Sequence, residues 1–386
     1  MAIISTAQKL CRGWCLFLKK RMIAFFLTVS ALICPVMAAE EETPGTSAKA
    51  MILIHKDSGR VLCEENADSP MLIASTTKIM TALLAAEHLD PDREVLIETD
   101  WTRVEGSSMY LRPGTSYTVR ELLYGLMLAS GNDAALALAC TVAGSPEAFA
   151  ELMNQRAEEL GLKNTHFTNP HGLDDREHYS SARDLAIIMA EAMENELFAQ
   201  IVSARSFSSH GATYVNHNKL LWRCPGVNGG KTGYTKAAGR CLVTTCQRDG
   251  LSLICVTLSD GNDWLDHTAL YDWAYGEYTA LVYPGDIAVA CVPVIGGQKS
   301  SVEAIPGEDV LLCVPKKCSV ETVLYLPRFV YATGNHVSEA GEMRVYENGE
   351  QTGSWPLYWE QRLEPEKGMG PSLIKGLGQG ILGIYY

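Results

Sequence analysis

Ala74-Ser75-Thr76-Thr77-Lys78-Ile79-Met80-Thr81-Ala82 is the stretch on which the reading of this chain turns. Ile79, Leu83 and Ala86 recur at helical spacing, so Ala74 to Leu89 reads as a helix with one face turned to a core. A helix beginning at Ser75 puts Lys78 one turn along on the same face, within reach of the hydroxyl. A free serine is a weak nucleophile and needs an adjacent base. Lysine serves as one when burial or neighbouring cations lower its pKa. The first N–H groups of such a helix face whatever oxyanion develops there. The same letters also fit a plain helix start, because Ser and Thr are favoured caps and Lys78 could be a surface charge.

Two further motifs follow at wide spacing. Ser130-Gly131-Asn132 separates two helical runs, Val119 to Ala129 and Asp133 to Val142. By itself it encodes a helix-breaking turn. As chemistry, the Ser130 hydroxyl suits proton relay to a leaving amine. The Asn132 amide suits a substrate carbonyl and the orientation of Lys78. Lys231-Thr232-Gly233 follows Gly229-Gly230 at the edge of a strand. Lys231 and Thr232 together can hold a carboxylate, and Gly233 lets a peptide backbone lie close. The Tyr234 N–H would complete an oxyanion hole with that of Ser75. The bland reading is a β-turn with an exposed lysine. In this order, S-x-x-K, S-x-N and K-T-G make up the motif set of penicillin-interacting serine enzymes.

The text around the motifs carries a closer likeness. Ala74 to Ala82, Gly106-Ser-Ser-Met-Tyr-Leu, Leu128-Ala-Ser-Gly-Asn-Asp-Ala, His171-Gly-Leu, Tyr179-Ser-Ser-Ala-Arg-Asp and Lys231-Thr-Gly-Tyr-Thr-Lys-Ala-Ala-Gly-Arg lie in one chain. Over roughly residues 48–280 it resembles the D-alanyl-D-alanine carboxypeptidases, the low-molecular-mass penicillin-binding proteins of peptidase family S11. The resemblance implies an α/β (α+β) fold of the β-lactamase/transpeptidase kind: an antiparallel sheet flanked by helices, with the site between sheet and helical cluster. It implies attack by Ser75 on the carbonyl between two D-alanines of a peptidoglycan stem peptide, release of the terminal D-alanine, and hydrolysis of the acyl-enzyme. Lys78, Ser130 and Asn132 would share the catalysis. Lys231, Thr232, Gly233 and the Tyr234 backbone would bind substrate. No metal or organic cofactor is implied, and β-lactam antibiotics become expected covalent inhibitors.

At 386 residues the chain has room for two cored domains. Lys19, Lys20 and Arg21, the apolar run from Met22 to Pro35, and the small residues at Val36-Met37-Ala38 read as a signal peptide over residues 1–38. Its removal takes away five positive charges and no negative ones, from −13 to −18. An exported, acidic product is a poor partner for nucleic acid. Residues 39–48 read as a linker and 49–280 as the catalytic domain. Beyond that, short alternating runs such as Ile287–Val292, Val310–Val314 and Val320–Tyr325 read as a small all-β domain to residue 366. Residues 367–386 read as a tail. In it Leu373, Leu377, Ile381 and Ile384 suggest a membrane-surface helix, while the glycines suggest disorder. Gly378-Gln-Gly380-Ile-Leu-Gly383 spells a dinucleotide-binding pattern without a preceding strand, so we set it aside. Nine cysteines follow the leader, an odd number, several of them in apolar runs. They read as mostly unpaired core residues. Without C-x-x-C or H-E-x-x-H, zinc is not expected.

A class A β-lactamase shares two motifs but needs a glutamate, usually in E-x-x-L-N, for the deacylating water. No such string lies between Ala135 and Leu220, so β-lactams should be trapped rather than turned over. A non-catalytic wall-binding protein of the same fold would be expected to lose Ser75, Lys78 or Lys231, and all are present. Transpeptidase and endopeptidase activities use the same residues and stay open. Arg240 is an alternative partner for the substrate carboxylate.

Overall fold

A computed structural model describes residues 43–332 and 338–366. The expected signal peptide, the start of the linker, the tail with its amphipathic pattern and the glycine string lie outside the described residues.

Five antiparallel strands form the central sheet, in the order Val61–Glu65, Ala50–His55, Leu251–Leu258, Gly239–Arg248, Val227–Thr235. Ala50–His55 is buried at every residue. A strand alternates its side chains between two faces, and both faces of this one are covered. Ala50, Ile52 and Ile54 join Ile254, Val256 and Val243 under the helical cluster. Met51 and Leu53 point the other way, onto Leu270, Tyr271 and Ala274 of helix Asp263–Glu277.

The helical cluster consists of Lys78–His88, Val119–Leu128, Asn132–Ala143, Pro146–Glu159, Ala182–Glu194 and Glu196–Ser203. Local chemistry sets their ends. Thr118 and Glu121 form a reciprocal capping box. Ser145 accepts from Ala148 N–H with Pro146 in the first turn. Ser181 caps Ala182–Glu194 through Asp184 N–H.

From Tyr278 onward the described chain is all strand and turn. Tyr278–Tyr283 pairs with Val310–Pro315. A six-stranded sheet holds Val320–Tyr325, Glu339–Glu347, Glu350–Trp359, Ser301–Ile305, Ala290–Ile295 and Val330–Tyr331. Its core includes Val292, Val302, Met343, Val345 and Leu357. The Glu339–Glu347 and Glu350–Trp359 strands turn at Asn348-Gly349, both with positive φ (50° and 88°). Two left-handed residues are what a two-residue type I′ hairpin requires. The β-rich region meets the central sheet at its Val61–Glu65 margin. There Arg60 donates to Cys313 O at 2.9 Å and pairs with Glu347 at 2.5 Å.

Candidate active site

The opposite margin of the sheet, strand Val227–Thr235, packs against the turn that carries Ser75. That turn departs from the expectation of a helix running through Ser75. Ala74–Thr77 is a 3₁₀ turn, and the α-helix starts only at Lys78. Ala74 has φ +48°, a conformation uncommon for a residue with a Cβ. Thr77 Oγ1 donates back to Ala74 O at 2.8 Å and meets His178 Nε2 at 2.8 Å. Two glycines let neighbours come close. A Cβ on Gly233 would lie 3.1 Å from Ser75 N, and one on Gly172 (φ +85°) would lie 2.0 Å from Ala74 O.

Lys78 sits fully buried beneath the serine. Its Nζ is 3.1 Å from Ser75 Oγ, 2.7 Å from Asn132 Oδ1 and 2.5 Å from His171 O. Burial pushes its pKa well below that of a free lysine, and the charge of Lys231 adds to this, against an opposing pull from Asp133. Lys231 is also buried. It donates to Ser130 Oγ at 3.0 Å and to Thr232 O at 2.8 Å, and burial lowers its pKa to about 7.

Between the two lysines lies the break foreseen at Ser130-Gly131-Asn132. Ser130 has φ +58° and the next helix starts at Asn132. The Asn132 side chain is fixed at both ends, accepting from Lys78 and donating to Glu105 O at 2.6 Å. The six motif residues Ser75, Lys78, Ser130, Asn132, Lys231 and Gly233, drawn from three distant segments, thus meet at one edge. Thr232 is half-buried beside Lys231, and the Tyr234 side chain is exposed. Arg240, opposite Tyr234 in the strand register, is held by Asp263 at 2.7 and 2.8 Å, so its guanidinium already has a carboxylate partner.

Several residues of this setting carry no role in the sequence reading. Asp133 accepts from Met109 N and Leu111 N, both at 3.0 Å, from Ser108 Oγ at 2.6 Å, and from Ala134 N at 2.9 Å. It thereby ties the 106–111 loop to the Ser-Gly-Asn turn. His171 contributes its backbone carbonyl, a contact that no side-chain pattern announces. His171 and His178 are both kept neutral by burial, with pKa values of about 3 and about 4.

An antiparallel sheet backed by helices, with a serine and two buried lysines at one margin, defines the penicillin-binding protein and transpeptidase fold. A structure of penicillin-binding protein 5 from Haemophilus influenzae superposes on it with a TM-score of 0.73 at 28% identity, over 84% of this chain and 99% of that one. The family model for D-alanyl-D-alanine carboxypeptidase, Peptidase_S11, matches residues 37–262. The carboxypeptidase DacF of Bacillus subtilis is 35% identical over 320 residues, 77% of this chain and 82% of that protein. DacB2 of Mycobacterium tuberculosis is 39% identical over 60% of this chain and 84% of its own length. The chain belongs to the D-alanyl-D-alanine carboxypeptidase family of serine peptidases.

Proposed function

We propose that the chain removes the terminal D-alanine from peptidoglycan stem pentapeptides by way of a Ser75 ester, and that the motif residues divide the work as follows. Ser75 is the nucleophile and Lys78 its base. The observation that carries this is the set of partners around Lys78 Nζ. The carbonyls of Asn132 and His171 can only accept hydrogen bonds. A neutral amine gives its two N–H groups to them and keeps its lone pair for the Ser75 hydroxyl at 3.1 Å. Burial beside a second lysine favours that neutral form.

Ser130 passes a proton to the departing amine, with Lys231 beside it. Lys231 and Thr232 receive the substrate carboxylate, a charge-assisted contact. The N–H groups of Ser75 and Tyr234 stabilise the oxyanion. Gly233 supports this arrangement, since any side chain there would press on the Ser75 turn. β-Lactams acylate the same serine and are released slowly.

In this reading residues 49–280 form the catalytic domain and 281–366 a β-rich domain. Strand Tyr278–Tyr283 spans the division. Residues 1–38 direct export, so that the enzyme meets its wall substrate outside the cytoplasm, and the tail from 367 touches the membrane surface. Among the described residues no helix is long and apolar enough to cross a membrane. The test is to incubate the purified chain with a pentapeptide ending in D-Ala-D-Ala and follow products by mass spectrometry. Loss of one alanine is expected, and an intact peptide sinks the reading.

A further inference from the structure

We propose that Cys224 and Cys246 are an oxidation site: a small hydroperoxide converts the two thiols to a disulfide, with Cys224 as the attacking sulfur. The bond fastens the start of the strand that carries Lys231 and Gly233.

Backbone geometry brings the two together. The short helix Leu220–Arg223 ends at Cys224. Cys224-Pro225-Gly226-Val227 then turns the chain: Val227 N donates to Cys224 O at 3.3 Å, and Gly226 has φ +84°. Proline second and a left-handed glycine third are what a type II turn takes. Val227 pairs with Cys246 in the strand register, and Gln247 N donates to Gly226 O at 2.9 Å. The turn thus lies over Cys246. Gly226 leaves the room, since a Cβ there would sit 3.1 Å from Cys246 Sγ. Both thiols reach the Pro225 carbonyl oxygen, Cys224 Sγ at 3.9 Å and Cys246 Sγ at 3.6 Å. They also hydrogen-bond to each other. Both belong to the core beneath helix Asp263–Glu277, whereas Cys241 of the same strand belongs to the core under the helical cluster.

The surroundings make one thiol the nucleophile. Arg248 Nη2 lies 3.2 Å from Cys224 Sγ. Its guanidinium is fixed by Pro225 O at 2.8 Å, by Asp272 at 2.8 Å and by the Tyr275 ring, 4.7 Å to the centroid. Contact with the Cys246 thiol and the charge of Arg248 hold Cys224 below the usual thiol range, against the opposing pull of burial. Contact with Cys224, and then burial, hold Cys246 above that range. A thiolate beside a cation attacks, and a protonated thiol in contact with it resolves. Cys224 is only 4% exposed and Cys246 1%, so the oxidant must be small, which selects a hydroperoxide over a protein disulfide. An exported enzyme does not meet the thiol buffers that keep cysteines reduced in the cytoplasm; this last point rests on the export proposed above.

With hydrogen peroxide, the Cys224 thiolate bonds to one oxygen and the O–O bond breaks. Hydroxide leaves and takes up a proton to become water, and Cys224 is a sulfenic acid. The Cys246 sulfur then bonds to the Cys224 sulfur. The S–O bond breaks, and the hydroxyl departs with the Cys246 proton as a second water. The two thiols lose two electrons and two protons, and one peroxide becomes two waters.

The test treats the full folded chain with hydrogen peroxide at about pH 7, blocks the remaining thiols with iodoacetamide and maps tryptic peptides. Peptide 224–231 joined to 241–248 is expected, with fragment ions placing the link on Cys246 and not Cys241. The melting temperature should rise by about 5 °C over the reduced chain and return with dithiothreitol. Cys246→Ser should stop at a sulfenic acid that dimedone captures on Cys224. Arg248→Gln should slow the bridge about tenfold by lowering the thiolate fraction. Two alkylated thiols after peroxide, or a bridge that forms only in the urea-unfolded chain, overturns the proposal. Dimedone on other cysteines alone, or a native rate in Arg248→Gln, does the same. None of these readouts depends on peptidase activity, so failure of the carboxypeptidase reading is a separate result.

Discussion

Lys231 Nζ stands 3.0 Å from Ser130 Oγ across 101 residues of sequence, which places the cation of one motif on the hydroxyl of another. With a pKa of about 7, Lys231 in the free enzyme loses its charge as pH rises through neutrality, and with it the attraction for a carboxylate. A bound carboxylate favours the protonated lysine and raises its pKa. We therefore expect kcat/KM for the pentapeptide to fall above about pH 7 while kcat holds, because the former reports the free enzyme and the latter the complex. Parallel falls in both would exclude Lys231 as the group responsible. Lys231→Ala should lower acylation strongly below about pH 7, where the native lysine carries its charge, and less above it.

Ser75→Ala removes the only protein atom in the proposed chemistry that bonds to substrate carbon. Both D-alanine release and covalent labelling by a fluorescent penicillin should vanish, with the melting temperature little changed. Substantial D-alanine release from this variant would end the serine assignment.

Gly172→Ala is expected to damage the site without touching a motif residue. The new methyl would meet Ala74 O at 2.0 Å from a φ of +85°. The backbone of the nucleophile turn must then move, or the 171–173 loop must. We expect roughly 2 kcal/mol or more of destabilisation and a loss of acylation larger than the loss of folded protein. Thermal melts alongside penicillin-labelling rates give both numbers, and near-normal acylation would show the contact to be dispensable.

Asp133→Ala should leave the buried N–H groups of Met109 and Leu111 without acceptors. Each such loss costs about 1–3 kcal/mol. The loop they belong to also supplies Glu105 and Ser107 to Asn132. Urea unfolding should show the stability loss. The acylation rate should fall beyond what the folded fraction explains.

His267 predicts the response of the fold to acid. It is fully buried between Thr244 Oγ1 at 2.7 Å and Thr257 Oγ1 at 3.0 Å, and burial lowers its pKa to about 3. A depressed histidine is neutral in the folded chain while the unfolded chain takes up a proton below about pH 6.5. Stability from this group is thus complete above that pH and declines as pH falls toward about 3. The loss amounts to roughly 3 kcal/mol by about pH 4. His171 and His178 act in the same direction. Denaturant titrations at stepped pH should show a flatter acid limb for His267→Gln than for the native chain, and identical slopes would refute the attribution.

Much of this was legible because helical and strand periods are local. Val310–Pro315 and Val320–Tyr325 fall where alternation places them. Other features depend on partners far along the chain. The expected strand at Ile287–Val292 lies at Ala290–Ile295 instead, because Val292 is paired with Val302 and Ile287 belongs to a turn. The long strands Glu339–Glu347 and Glu350–Trp359 lie within the region read as all-β, but their charged and glycine residues hide the individual strands until cross-strand pairing is known. At the site, residue types gave the motif members, while the His171 carbonyl and the bracing by Asp133 needed coordinates. Backbone acceptors leave no trace in a side-chain pattern.

The two margins of the central sheet have different duties. Arg60 and its contacts to Cys313 and Glu347 fasten the β-rich region at the Val61–Glu65 margin, while Ser75 and Lys231 work at the other, with three strands between. The β-rich region is also gripped at the end of helix Asp263–Glu277, where Lys316 donates to Tyr275 O and Lys317 pairs with Glu277. The β-rich region is thus a handle whose grips on the catalytic half all lie away from the margin that carries Ser75 and Lys231.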